Sequence, residues 1–320
     1  MITAREMLPH QLGRVLKEVW IADDLTAAAV GHREIEADSH RELQRLLSGA
    51  LYEVLHAGYD RDRGPVPFHV RDSAFEKELA DVVPHRTTTA VGRVCGLPLI
   101  DGGPVLLERE GVRVWTPIER LRGTQELVVG QEVKVVAAAT RPGLSPGFFL
   151  VDGSRPTESR GDVLRVYIHL TNPDDAVVVW GTALRCLEGH DGRYRAKVLS
   201  APTLYPRRDA LVVYLRHGSW ELTDVLADAV LGLPGLGAEV SLFARPLANG
   251  IAAAWEPRDP RAHMRGMSFG QHRAGVLAQA LIDHKKGLSS LAQAIAERFS
   301  EAGISWDDVA SNTDSPVLLA

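Results

Sequence analysis

Several residues able to do acid–base or anion chemistry sit inside apolar runs of this chain. Arg165 and Tyr167 lie two apart in VLRVYIHL (163–170), so on a strand they share one face. Lys197 stands between Ala196 and Val198 in RAKVLS, and Arg207, Arg208 and Asp209 follow Tyr205 at the entrance of ALVVYLR. Glu256 closes the run IAAAWE, and Ser268, His272 and Arg273 fall in SFGQHR at the opening of a helical pattern. Guanidinium forks match phosphate oxygens two at a time. The free N–H groups of a helix start add positive potential. Each residue also has an ordinary structural use. A strand arginine packs its stem and keeps its head in water, Asp209 pairs with Arg207 or Arg208, Ser268 caps the helix, and a lone histidine is more often structural than catalytic. The combination points to an anion site, and a phosphorylated substrate would suit it.

Bulk properties narrow the field. The 320 residues carry a formal net charge of −5, which disfavours general binding to nucleic acid or to an anionic membrane. Hydrophobic residues make up 45%, enough for a sizeable core. Cys95 and Cys186 are the two cysteines. With no CxxC pair or Cys/His ligand spacing, neither a metal site nor a disulfide framework is expected. No apolar run reaches the roughly 20 residues of a membrane span, and the start lacks a signal-peptide pattern, so a cytoplasmic location is expected. GxxxxGK[ST], strand-linked GxGxxG, HExxH and GxSxG are all absent, which removes the commonest nucleotide, zinc-protease and hydrolase signatures. No cofactor is called for.

The elements that must position these residues follow from periodicity. Leu12, Leu16 and Trp20, then Leu43, Leu46, Leu47, Leu51, Val54 and Leu55, predict helices over most of the first 60 residues, with Gly58 as a stop. GPVP (64–67) reads as a loop, and Asp72 or Ser73 caps a short helix. TTTAVGRV, GPVLLE, GVRVWT, EVKVVAAAT and GFFLV between 87 and 151 predict a meander of short strands. DGSRPTESRG (152–161) reads as a linker. Beyond it strands and helices alternate, with Asn172 and Pro173 as cap and first residue of a helix. The expected fold is α+β: a helical N-terminal part, a short-strand meander, then a mixed β-sheet flanked by helices. The expected division is 1–160, a helical and meander region able to hold a peptide, and 161–320, an α/β-patterned catalytic region.

RVY (165–167), AKV (196–198), YPRRDALVVYL (205–215), RPLANGIAAAWEP (245–257) and SFGQHR (268–273) resemble the HopA-type family of type III effector-like proteins. The likeness is strongest over 163–285 and extends to LLSGALYEVLHAG (46–58), REGVRVWTP (109–117) and SPGFFLVDG (145–153). Bacterial members of that family accompany class V lanthipeptide and thioamitide biosynthesis. The resemblance implies a lyase that removes phosphate from phosphoserine or phosphothreonine of a ribosomal precursor peptide. It also implies a separate aminoglycoside-phosphotransferase-like kinase as partner. On that reading Lys197 is the base for the Cα proton, and must be uncharged to act. His272 is the acid at the leaving oxygen, with Tyr167 and Tyr205 as alternative donors. Arg165, Arg207, Arg208, Arg273 and Ser268 hold the phosphate, while Asp209 and Glu256 orient the cations. The alternative function is a non-catalytic scaffold that binds the precursor peptide or the kinase.

Overall fold

The computed structural model describes residues 12–13, 16–59, 70–109, 111–123, 126–155 and 161–317. Its N-terminal part corrects the all-helical expectation. β1 (Val19–Ile21), β2 (Ala27–Val30) and β3 (Arg33–Glu36) form a small antiparallel sheet. The four-residue spacing that ends at Trp20 mimics a helix. Yet Val30 pairs with Arg33, closing a two-residue hairpin in which Gly31 takes φ 57, a left-handed value that glycine adopts without strain. Helix α1 (His40–Leu51) follows, capped by Ser39. It runs into a π-helical stretch, Tyr52–Ala57, that ends at Gly58 with φ 83. Helix α2 (Ser73–Asp81) is capped by Asp72, which accepts from the backbone of Ala74 and Phe75. The loop expected at 64–67 lies outside the described residues, as does half of the expected linker, 156–160.

The short-strand region is a five-stranded sheet: β4 (Thr87–Gly96), β5 (Val105–Arg109), β6 (Val112–Thr116), β7 (Leu121–Arg122) and β8 (Glu132–Ala138), in the order β6-β5-β4-β8-β7. It has its own small core of Val94, Val105, Leu107, Val133 and Val135.

The central sheet has seven strands. In chain order come β9 (Thr140–Ser145), β10 (Phe148–Asp152), β11 (Val163–Leu170), helix α3 (Pro173–Gly189), β12 (Tyr194–Leu199), β13 (Arg207–Arg216), helix α4 (Leu222–Val230), β14 (Arg245–Ala248) and β15 (Ile251–Trp255). Helices α5 (Phe269–Lys285) and α6 (Leu291–Glu301) close the described fold. The spatial order is β14-β15-β11-β13-β12-β10-β9. Every neighbouring pair is antiparallel, so the sheet is not mixed. The reason lies in β13. Helix α3 does return the chain so that β12 runs in the direction of β11, as the alternating pattern suggests. β13 then inserts between them and runs the other way.

Alternation splits the central strands between two cores. Leu164, Val166, Ile168, Ala196, Val198, Leu211 and Val213 face Trp180, Leu184 and Leu226 of α3 and α4. Tyr167, Val212, Ala252 and Ala254 face Leu43, Leu47, Phe269 and Leu277 of α1 and α5. A Leu or Val side chain buried in either layer contributes about 1.5–3 kcal/mol. No described helix is long and apolar enough to cross a membrane.

Candidate active site

Residues directly opposed in antiparallel strands present their side chains on the same face. One row across the central sheet is therefore Leu150, Lys197, Val212, Tyr167 and Ala252. The next is Asp152, Arg195, Tyr214, Arg165 and Ala254. Helices α1 and α5 cover the Tyr167 end of these rows, while Lys197, Arg195 and Tyr214 remain half-buried. The Lys197 ammonium lies 4.1 Å from the centre of the Phe148 ring and 5.8 Å from that of Tyr214. It has no hydrogen-bond or ion-pair partner among the described residues.

Two arginines flank it, each held by a carboxylate. Arg165 is buried and grips Glu256 with Nε and Nη2, the latter at 2.6 Å from Oε1. Its Nη1 lies 3.5 Å from the Tyr167 hydroxyl, and its guanidinium rests 5.0 Å from the Tyr214 ring centre. Arg207 grips Asp209 with Nε and Nη2, both at 2.7 Å. Nη2 also donates to the Tyr52 hydroxyl at 2.7 Å, which in turn donates to Asp209 at 3.1 Å. Burial alone would raise the Asp209 carboxyl, but Arg207 and the neighbouring cations hold it well below the usual carboxylate range. Burial pushes the Tyr52 and Tyr167 hydroxyls up, so both stay protonated.

His56 sits behind this pair and is almost fully buried. Its Nδ1 is 2.7 Å from Ser241 Oγ, and its Nε2 faces Asp209 at 3.7 Å. Burial, with Arg207 adding to it, lowers its pKa to about 4, so the ring is neutral near pH 7. A proton on Nε2, directed at the carboxylate, with the serine hydroxyl donating to Nδ1, satisfies both neighbours. The ring stacks edge-on against Tyr167, with centres 5.1 Å apart. It occupies the space above Gly270, where a Cβ would fall 2.6 Å from ring Cγ.

The remaining residues singled out from the sequence do not touch Lys197. Arg208 pairs with Glu239 and donates to the Val54 carbonyl at 3.2 Å, closing the end of the π-helical stretch. Tyr205 lies in the opposite core and donates to the Leu199 carbonyl. Ser268 is the N-cap of α5 in a reciprocal capping box with Gln271. His272 has both ring nitrogens engaged: Nδ1 accepts from Arg273 and Nε2 donates to Asp259, each at 2.8 Å. Burial, then Arg273, lowers its pKa to about 4. Arg273 is fully buried and ties α5 to the C-terminal segment through Val309, Ser311 and Asn312. Burial brings its guanidinium down to about 9.

Sequence reasoning missed Tyr52, His56, Phe148, Ser241 and Tyr214. Tyr214 carried a readable signal, since it alternates with Val212 on β13. His56 and Ser241 carried none, being 185 residues apart. Among the described residues no three His, Cys, Asp or Glu side chains converge as metal ligands. A cleft of about 640 Å³ between α1 and α5 is lined by Arg41, Arg45, Met264 and Met267 among others and contains none of the Lys197 cluster.

Residues 139–311, more than half of the chain, match the HopA1 effector protein family, and the chain belongs to that family. Two solved structures are similar. One is the effector protein from Pseudomonas syringae pv. syringae strain 61, with 14% identity and a TM-score of 0.48 over 85% of this chain and 92% of that one. The other is the effector protein from Pseudomonas syringae pv. tomato strain DC3000, with 12% identity and a TM-score of 0.48 over 87% of this chain and 91% of that one. No curated protein matches the chain in sequence.

Proposed function

We propose that this member of the HopA1 effector protein family is a lyase. It eliminates phosphate from phosphoserine or phosphothreonine of a ribosomal precursor peptide, after a separate aminoglycoside-phosphotransferase-like kinase has installed the phosphate. The observation that carries this reading is Lys197: a half-buried amine with no hydrogen-bond or ion-pair partner among the described residues, sharing the Tyr214 ring with Arg165 and the Phe148 ring with Arg207. A scaffold has no use for such an amine. An elimination needs a base next to an anion site.

Lys197, as the free amine, takes the Cα proton. The electron pair of that C–H bond forms the Cα=Cβ bond, and the Cβ–O bond pair leaves with the phosphate. Arg165 and Arg207 stabilise the charge that grows on the departing oxygens. The leaving oxygen takes its proton from the Tyr214 hydroxyl, which has no hydrogen-bond partner among the described residues and lies beside both Lys197 and Arg165. His272, with both nitrogens engaged, is not needed for this step. Residues 1–160 would hold the peptide.

Mass spectrometry of a phosphothreonine peptide incubated with the protein tests this, by loss of the mass of phosphoric acid. Lys197→Ala is expected to abolish that loss while leaving phosphopeptide binding intact. Full turnover by Lys197→Ala would overturn the assignment of the base. Binding by the wild type without elimination from any phosphopeptide would overturn the lyase and favour the scaffold.

A further inference from the structure

The sheet face that carries Lys197 holds a further cationic group that the elimination leaves unused. Arg141 on β9 is opposed to Leu150, which is itself opposed to Lys197. Arg195 lies two residues from Lys197 on β12, opposed to Asp152. Both guanidinium groups converge on that one carboxylate: Arg195 Nε is 2.6 Å from Oδ1 and Arg141 Nε is 3.1 Å from Oδ2. Asp152 is buried beneath them, while each arginine side chain stays 31% exposed. The Arg141 Nε makes no hydrogen bond of good geometry, and its Nη groups have no partner among the described residues. By contrast, Arg165 and Arg207 are each matched by a carboxylate of their own.

We infer that Arg141, with Arg195 and Asp152, forms a second anion subsite. It takes an anionic side chain of the substrate peptide two residues from the reacting one. This rests on the lyase reading. Asp152 is the diagonal neighbour of Lys197 on adjacent strands, a separation of about 7–8 Å. In an extended peptide, residues two apart point to the same side about 6.6 Å apart. A peptide with its phosphorylated residue at Lys197 therefore brings the side chain two positions away over Asp152, where the free Arg141 fork faces solvent. The chemistry recognised is a carboxylate or a second phosphate, either of which a guanidinium fork accepts in two hydrogen bonds.

The test uses the full chain and four synthetic peptides with one phosphothreonine in common. One has alanine two residues to either side, one has glutamate two residues before, one has glutamate two residues after, and one carries a second phosphothreonine at the better of those positions. One glutamate peptide is expected to show a KM about two- to fivefold below the alanine peptide, the worth of one partly exposed charged contact, with kcat changed by less than about 1.5-fold. The preference should shrink as salt rises. Arg141→Gln is expected to raise that KM to the value for the alanine peptide, with an unchanged circular dichroism spectrum. A preference only for the second phosphothreonine assigns the subsite to phosphate, and one shared by glutamate assigns it to anions in general. Equal KM for all four peptides, or a preference that persists in Arg141→Gln, would overturn the inference. If no peptide is turned over, the lyase reading fails on its own. Fluorescence anisotropy of the same peptides then decides the subsite, by whether the preference in Kd exists and depends on Arg141.

Discussion

Gly270 is the sharpest probe of how the site is assembled. It is the second residue of α5, and a Cβ there would lie 2.6 Å from Cγ and 2.7 Å from Nε2 of the His56 ring. That ring cannot swing aside. Tyr167, Phe269 and Tyr52 surround it at ring-centre distances of 5.1, 5.9 and 5.4 Å, and Ser241 holds Nδ1. Gly270→Ala therefore either displaces His56, losing a buried hydrogen bond worth about 1 kcal/mol, or overpacks the layer at about 1–3 kcal/mol. Helix propensity returns at most about 1 kcal/mol. The net expectation is a loss of up to about 3 kcal/mol in urea unfolding, and of at least about 1 kcal/mol relative to a glycine of the same helix that has room for a methyl group. Gly275 in the same helix is the control, since its nearest neighbour would be Ser48 Oγ at an ordinary 3.6 Å. Gly275→Ala should be neutral or stabilise by up to about 1 kcal/mol. In the double variant Gly270→Ala/His56→Ala the clash is gone, so the two losses should fall short of adding by about 1 kcal/mol or more. If Gly270→Ala matches Gly275→Ala, or the double variant is additive, the His56–Gly270 contact does not organise the site.

Other expectations follow from the same geometry. Asp209→Ala leaves Arg207 buried without its carboxylate and should cost about 3–5 kcal/mol by chemical denaturation; a loss under about 1 kcal/mol would mean that Arg207 finds another partner or water. His272→Ala leaves Arg273 Nη1 without its acceptor and removes one donor from Asp259, which keeps Arg261, and should destabilise by about 1–3 kcal/mol. Per folded molecule, kcat should fall by less than about tenfold, whereas a fall of 10²–10⁴ would return the acid role to His272. Tyr214→Phe should lower kcat by about a hundredfold if its hydroxyl serves the leaving oxygen, and an unchanged kcat would remove it from the mechanism. His56 and His272 have pKa values near 4 in the fold, against 6.5 for the ordinary side chain. Between these values the unfolded chain binds more protons, so stability is whole above about pH 6.5 and is lost as pH falls through about 4. Each histidine should contribute on the order of 3 kcal/mol to that slope, and flat stability between pH 7 and 4.5 would contradict their burial as neutral rings.

What could be read from the sequence depended on whether the information was local. Asn172 and Pro173, Asp72 and Ser268 mark helix starts within three residues of the backbone groups they serve, and the helices begin there. Period-two alternation fixes that Arg165 and Tyr167 share a face, because that is a property of one strand. Sheet order is not local. Nothing in β11, α3 and β12 announces that β13 will lie between the first and last, and that insertion makes the sheet antiparallel. The same limit governs the choice of histidine. His272 drew attention because it stands in the dense string SFGQHR, yet that string works as a packing device. Ser268 starts the helix, Gly270 leaves room for His56, and His272 with Arg273 ties the helix to Asp259 and to 309–312. The histidine that meets the Arg207–Asp209 pair comes from the otherwise apolar turn VLHAG (54–58), and it becomes significant only when α5 lays Gly270 against it. A motif rich in chemical residues can thus mark the wall of a site. Beside that wall, Lys197 and Tyr214 have no hydrogen-bond partner among the described residues, which is why the proposed elimination is assigned to them.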